Sequence, residues 1–322
     1  MTPAFLDDAD VRRLLDRDRL IDVMEETLAV FSSGGARQPV RQAIPVKRHG
    51  GFFAVMPALL GDDALGVKLV TFYPGNAERG IETHMALVAL FDPATGEPLV
   101  VMDGTYLTEM RTAAVSAAAT RRLAAEDARV LAILGSGVQA RSHLDLLSRV
   151  RRFEEVRVWS RTAAHAERFV ERARRAAEGT GAGGSGSGVV PRIVCCSTAE
   201  AAVRGADVVV TATSATEPVL RGEWLQPGAH VNAVGACVAA WRELDDDVMR
   251  NVVYVDSRAA AAVESGDVVQ SKCQVYAELG DLFAGGVAPR ADETTVFKSL
   301  GLAVEDVAAA SLVWRARSDP QS

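Results

Sequence analysis

The stretch Val130-Leu131-Ala132-Ile133-Leu134-Gly135-Ser136-Gly137-Val138-Gln139-Ala140 decides the fold class. Its first five residues are all apolar and end at a turn signal, the mark of a short strand buried on both faces. Gly135-x-Gly137-x-x-Ala140 follows at once and opens a helical stretch running to about Leu147. That context turns a common glycine spacing into the phosphate-binding turn of a dinucleotide-binding βαβ unit. Gly135 permits the tight turn, Gly137 lets the backbone approach a pyrophosphate, and Ala140 is small enough for close helix–strand packing. The candidate cradle is therefore Gly135, Ser136, Gly137, Val138 and Gln139, at a helix N-terminus that offers free N–H groups and positive dipole.

Downstream, short apolar runs recur at Val156–Trp159, Ile193–Cys196, Val208–Thr211, Ala229–Val234 and Val252–Val255, most separated by helical or loop segments. Such alternation predicts a doubly wound parallel sheet covered on both faces, an α/β class of fold. A Gly/Ser-rich patch at 179–188 reads as a surface loop. The end of the second strand bears on cofactor choice. An acid there would hold the ribose 2′-OH of NAD, but the chain runs into Ser160-Arg161-Thr162. Arg161 can meet a 2′-phosphate with a planar, charge-assisted contact, and two hydroxyls add hydrogen bonds, so NADP(H) is preferred and NAD(H) is the alternative. The turn carrying Thr213 and Ser214 ends another strand, where open parallel sheets bind ligands, and is placed against the nicotinamide ribose.

Upstream the texture differs. Ala9–Phe31 reads as one helix, capped by Asp7 or Asp8 and ended by Gly34 and Gly35. Phe52–Met56, Gly66–Phe72, Met85–Phe91 and Leu99–Met102, with a hairpin loop at Asp92–Gly96, predict an antiparallel or mixed sheet. An Ala-rich helix through Arg111 runs to about Leu123, and a tail helix at Val304–Arg315 is expected to pack back on this first domain. Lys68 interrupts the apolar strand Leu65–Val70, where alternation sends its side chain opposite to Val67 and Leu69. Arg111 opens a tightly packing helix with no evident partner. If these two converge with Arg41, they form a pocket for a carboxylate.

Composition excludes several classes of function. Lys and Arg number 35 against 42 acids, a net charge of -7, so no basic surface for nucleic acid is indicated. No apolar run reaches the ~18 residues of a membrane span. Four cysteines without paired spacing point to a reducing, cytoplasmic compartment. The five histidines show no metal-ligand spacing, so no metal is expected.

Five segments together carry a resemblance: Gly66-Val67-Lys68-Leu69-Val70 with Pro74-Gly75-Asn76, Arg111-Thr112-Ala113-Ala114-Val115-Ser116-Ala117, the Gly135–Ala140 turn, Pro227–Ala236 and Phe297-Lys298-Ser299-Leu300-Gly301. In their order and over about residues 35–310 the chain resembles the ornithine cyclodeaminase/mu-crystallin family. The resemblance implies a homodimer in which a Rossmann domain, 121–302, is inserted into an α+β substrate-binding and dimerisation domain, 1–120 plus 303–322. It implies that Arg41, Lys68 and Arg111 bind a substrate carboxylate, with Lys68 and Arg111 also catalytic. Thr83, His84 and Cys237 fall on the substrate side, and Thr112, Val234, Lys298 and Ser299 on the cofactor side.

One position separates activities within the family. Cyclodeaminases and the archaeal alanine dehydrogenases carry an acid after the Val-Gly-Gly/Ala segment, whereas here Gly235-Ala236 is followed by Cys237. A thiol of pKa ~8.5 is a poor substitute for a carboxylate base at neutral pH. The flanking Trp241–Asp246 and Ser160-Arg161-Thr162 resemble the mu-crystallin branch, which includes reducers of cyclic ketimines. The resemblance thus implies an NAD(P)H-dependent reductase of small α-imino acids such as pyrroline-2-carboxylate or piperideine-2-carboxylate. Ornithine cyclodeaminase or alanine-type dehydrogenase chemistry is the alternative, and a crystallin-like NADPH-binding protein without turnover is a third.

Overall fold

A computed structural model describes residues 2–179, 191–286 and 289–318, so the Gly/Ser-rich patch lies, Gly179 apart, outside the described residues. The chain forms two compact units. The first holds residues 1–114, 283–285 and 301–322, and the second holds 115–282 and 286–300. One division falls between Ala114 and Val115 inside the continuous helix Thr105–Leu123, so no turn signal marks it in the sequence.

The first unit is built on a mixed sheet. Its strands are β1 (Ala4–Leu6), β2 (Ala36–Arg37), β3 (Gln42–Val46), β4 (Gly51–Leu60), β5 (Ala64–Phe72), β6 (His84–Phe91) and β7 (Pro98–Asp103). They run in the order β1-β7-β6-β5-β4-β2, with β3 also paired to β4, and only β1 on β7 is parallel. The tail helix, Ala303–Ser318, packs on β4, β5 and β6 and on the helix Arg17–Ser32. Its approach is close: a Cβ on Gly66 of β5 would lie 3.0 Å from Val307 and 2.8 Å from the Ala89 carbonyl. Alternation sets the buried face, with Ala54, Met56 and Ala58 of β4 and Ala86, Val88 and Leu90 of β6 turned inward. On β5 the same alternation turns Ala64, Gly66 and Lys68 inward, so the charged residue sits on the core side.

The N-terminal helix differs from its reading as one piece. It is two, Asp8–Leu14 and Arg17–Ser32, because Leu15 is extended and Asp16 caps the second by accepting from the N–H groups of Asp18 and Arg19 at 2.9 and 3.0 Å. Apolar periodicity continues across the break, since both pieces bury a face. The first cap is Asp7, whose carboxylate accepts from Asp10 N–H at 2.9 Å.

The second unit is an eight-stranded, fully parallel sheet. Its strands are β8 (Val130–Leu134), β9 (Glu155–Trp159), β10 (Arg192–Cys195), β11 (Val208–Thr211), β12 (His230–Ala233), β13 (Val252–Val255), β14 (Val275–Glu278) and β15 (Thr295–Lys298). The order β10-β9-β8-β11-β12-β15-β13-β14 reverses direction between β8 and β11, the switch point at which such sheets bind ligands. Leu131 to Leu134 and Val208 to Val210 are fully buried, as strands covered on both faces must be. Strand β15 slots between β12 and β13 from far along the chain, and neither it nor β14 shows in the apolar pattern. Among the described residues, no helix is long and apolar enough to cross a membrane.

Candidate functional site

In the first unit, the three cations read from the sequence converge, and two carboxylates hold Lys68 and Arg111. Lys68 Nζ lies 2.5 Å from Asp306 Oδ2, and Arg111 Nε lies 2.9 Å from Asp306 Oδ1. A second contact joins Arg111 to Glu305 at 2.7 Å. Both acids open the tail helix, where the positive dipole end favours anions, and both are fully buried. Arg41 donates to the Gly301 carbonyl at 3.2 Å. Gly301 has φ +81°, and a Cβ there would come within 2.8 Å of the Arg111 guanidinium. Glycine is required twice over, for its left-handed backbone and for the arginine lying on it. Arg41 adds a further cation beside the paired Lys68 and Arg111, a setting suited to a bound anion.

Burial dominates the protonation of Lys68. It pulls the pKa down to about 8, with Arg111 and Arg41 adding to the fall and Asp306 opposing it. For Asp306, burial acts upward but Arg111 and Lys68 outweigh it, so its carboxyl stays below the ordinary value and ionised. At the edge of this cluster, Thr83 Oγ1 is 3.4 Å from His84 Nδ1, and the His84 ring packs 4.3 Å from Phe72. Desolvation and the Lys68 charge both oppose protonation of His84, although its ring keeps part of its surface open. Thr112 is spoken for locally: its hydroxyl donates to the Thr108 carbonyl at 2.8 Å.

In the second unit, the glycine turn divides its roles. Gly135 has φ +130° and a Cβ there would sit 2.4 Å from the Ala212 carbonyl, so the turn itself demands glycine. Gly137 has no such constraint. It is the extended N-cap of the helix Val138–Val150, and nothing lies within 4 Å of where its Cβ would be. That open ground before unpaired N–H groups is what a pyrophosphate needs, and the fit to a dinucleotide is good. Ser136 and Ser160 hydroxyls meet at 3.1 Å, joining the turn to the end of β9. Arg161, Thr162 and Ser214 are exposed, and Val234 is half-buried at the end of β12.

Lys298 and Ser299 are placed inside this unit and not on an open face. The Lys298 ammonium pairs with Asp267 at 3.2 Å and donates to the Gly235 carbonyl, and Ser299 is 2 % exposed. They belong to a buried polar network that also holds Glu243. One Glu243 oxygen accepts from the Thr213 N–H and hydroxyl, both at 2.6 Å. The other accepts from Thr211 Oγ1 at 2.9 Å and Gly235 N–H at 2.7 Å. Glu243 thereby ties the C-terminal ends of β11 and β12 together. Burial holds its carboxyl above the ordinary value against the pull of Lys298. Cys237 Sγ faces the carbonyl oxygens of Val234, Gly235 and Ser299 at 3.5, 3.8 and 3.7 Å. Sequence reasoning missed Glu305 and Asp306, whose only local signal is a pair of acids in a helix's first turn.

The ornithine cyclodeaminase/mu-crystallin family model matches residues 1–319. The chain belongs to that family. Within it, the chain is 49% identical over 318 residues to the ketimine reductase mu-crystallin of Mus musculus, covering 97% of this chain and 96% of that one. Among solved structures of the family's fold, it matches the Thermococcus litoralis Delta(1)-pyrroline-2-carboxylate reductase in complex with NADH and L-proline. The TM-score is 0.90, the identity 33%, and the coverage 98% of this chain and 97% of that one. An archaeal alanine dehydrogenase dimer with bound NAD matches with TM-score 0.90 at 30% identity, over 100% of this chain and 98% of that one.

Proposed function

We propose that the chain is an NADPH-preferring reductase of small α-imino acids, cyclic ketimine carboxylates such as pyrroline-2-carboxylate and piperideine-2-carboxylate. The observation that carries this is the Arg41–Lys68–Arg111 cluster, in which Lys68 and Arg111 are buried and the ammonium has its pKa pulled to about 8. Relatives named as ketimine and pyrroline-2-carboxylate reductases support it.

The arginines hold the substrate carboxylate, which fixes the position of the adjoining C=N bond. Lys68 gives a proton, or a hydrogen bond that strengthens with charge, to the imine nitrogen, and a pKa near neutrality suits that task. A bound reduced nicotinamide supplies the hydride that the imine carbon takes up, so that the C=N double bond becomes CH–NH. The Gly135–Gln139 turn and the Thr213–Ser214 turn would hold that cofactor, with Arg161, Ser160 and Thr162 at a 2′-phosphate. A protonated imine is already electrophilic, so the reaction does not need the carboxylate base that Cys237 replaces.

A homodimer accompanies this reading. Ile44, Phe53, Thr71 and Met85 lie in register on one face of the first sheet, where Ile44 is 61% and Met85 41% exposed. A second copy would cover such a face, and the alanine dehydrogenase relative is a dimer. The four cysteines are free thiols, which suits the cytoplasm. The test is direct: pyrroline-2-carboxylate added to protein and NADPH should oxidise the cofactor and yield proline. Ammonia and proline from L-ornithine without that reductase activity would contradict it.

A further inference from the structure

We propose that Asp306 is the positioning residue of the cation cluster: its carboxylate spans Lys68 and Arg111, keeps the ammonium charged, and sets its spacing from the carboxylate-binding guanidinium. The inference rests on the proton-donating role of Lys68 given above and adds the group that makes that role workable.

Geometry is the first argument. Each Asp306 oxygen faces one cation, Oδ2 the ammonium at 2.5 Å and Oδ1 the guanidinium Nε at 2.9 Å. A carboxylate is rigid and planar, so bridging in this way fixes the distance and angle between the two cations. In an α-imino acid, the nitrogen and the carboxyl group sit on the same carbon. A donor for the one and a clamp for the other must therefore keep a fixed separation, and the bridge supplies it. Glu305 takes the far side of Arg111 at 2.7 Å and stops the guanidinium rotating about its first contact.

Electrostatics is the second argument. Charged and titratable groups facing Lys68 are Asp306 on the tail helix, Arg111 on the helix Thr105–Leu123, Arg41 before β3 and His84 at the start of β6. Of these only Asp306 is anionic. Burial and both arginines push the lysine toward its neutral form, and Asp306 alone of this set opposes them. Replace it with a neutral residue and Lys68 should lose its proton well below pH 8. The enzyme would then lack its acid at neutral pH.

The experiment is the pH profile of kcat/KM for pyrroline-2-carboxylate reduction by the full chain with saturating NADPH. Wild type should fall on an alkaline limb near pH 8, where Lys68 deprotonates. Asp306→Asn should move that limb down by about one pH unit or more and lower kcat/KM at pH 7 about twofold or more, with recovery at lower pH. Glu305→Gln should raise KM and move the limb less. A structural role alone would lower activity at every pH without moving the limb, so a folded Asp306→Asn enzyme with an unmoved limb overturns the inference. Should Asp306→Asn not fold, Asp306→Glu decides. It keeps the charge and displaces the bridge by a methylene, so it should hold the limb and lower kcat several-fold, and an unchanged kcat overturns the positioning role. A wild type without imine reduction overturns the proposed function and this inference together; turnover with an unmoved limb overturns this inference alone.

Discussion

Gly301 shows how much a single residue can decide. Its carbonyl receives Arg41, its missing side chain leaves room for Arg111, and its φ of +81° is one that few side chains tolerate. Gly301→Ala should therefore displace the guanidinium and raise KM for the imino acid about tenfold or more, while NADPH affinity stays unchanged; titrations of each ligand check this. Arg161 makes the opposite case, an exposed residue whose worth depends on the ligand. Arg161→Ala should weaken NADPH far more than NADH, because only the former has a 2′-phosphate, and equal losses would argue against the preference. At this scale the cations were legible in the sequence because charge is conspicuous inside an apolar strand or an Ala-rich helix. Their partners were not. Arg111 and Glu305 are far apart along the chain, and acids at the start of a helix are common enough to read as ordinary dipole partners.

Among elements, the turn after β8 divides two demands that sequence spacing merges. Gly135 answers to the protein, and Gly137 answers to open ground. Gly135→Ala should lower stability by about 2 kcal/mol or more through strain and the Ala212 contact. Gly137→Ala should cost about 1 kcal/mol or less in stability, as at other N-caps, yet weaken dinucleotide binding strongly. Thermal melts and cofactor titration on the same two variants separate the cases. The central parallel strands are legible in the sequence because full burial writes itself as unbroken apolar runs. Strand β15 is not, since Thr295 and Lys298 are polar residues satisfied only inside the fold, by His230 and by Asp267. The N-terminal helix reads as one in the sequence because its apolar period survives the break at Leu15, and only the Asp16 cap marks it.

Across the whole molecule, buried neutral histidines tie stability to pH. His143 and His230 are both fully buried, and desolvation pulls their pKa values down to about 4 and about 3. In the unfolded chain they titrate near 6.5, so below that pH the unfolded state binds protons that the folded state refuses. Stability is fully present above pH 6.5 and declines as pH falls toward 4. Between pH 7 and pH 5 the loss should be about 2 kcal/mol per histidine, read as a falling Tm, and replacing His143 by Gln should flatten the dependence. The change of texture between Asp103 and Val130 marks two kinds of chain, whereas the division at Ala114/Val115 falls inside one unbroken helix that composition does not interrupt.

The central claim is that a carboxylate-binding cation cluster containing Lys68 directs imine reduction. Its most direct measurement compares kcat/KM for NADPH oxidation with pyrroline-2-carboxylate and with 1-pyrroline, the same ring without the carboxyl group. Loss of a charged hydrogen-bonded clamp should cost about a hundredfold, so the account predicts turnover of the first at least that much more efficient than of the second. Equal turnover of both rings, or oxidation of NADPH by neither, would contradict it.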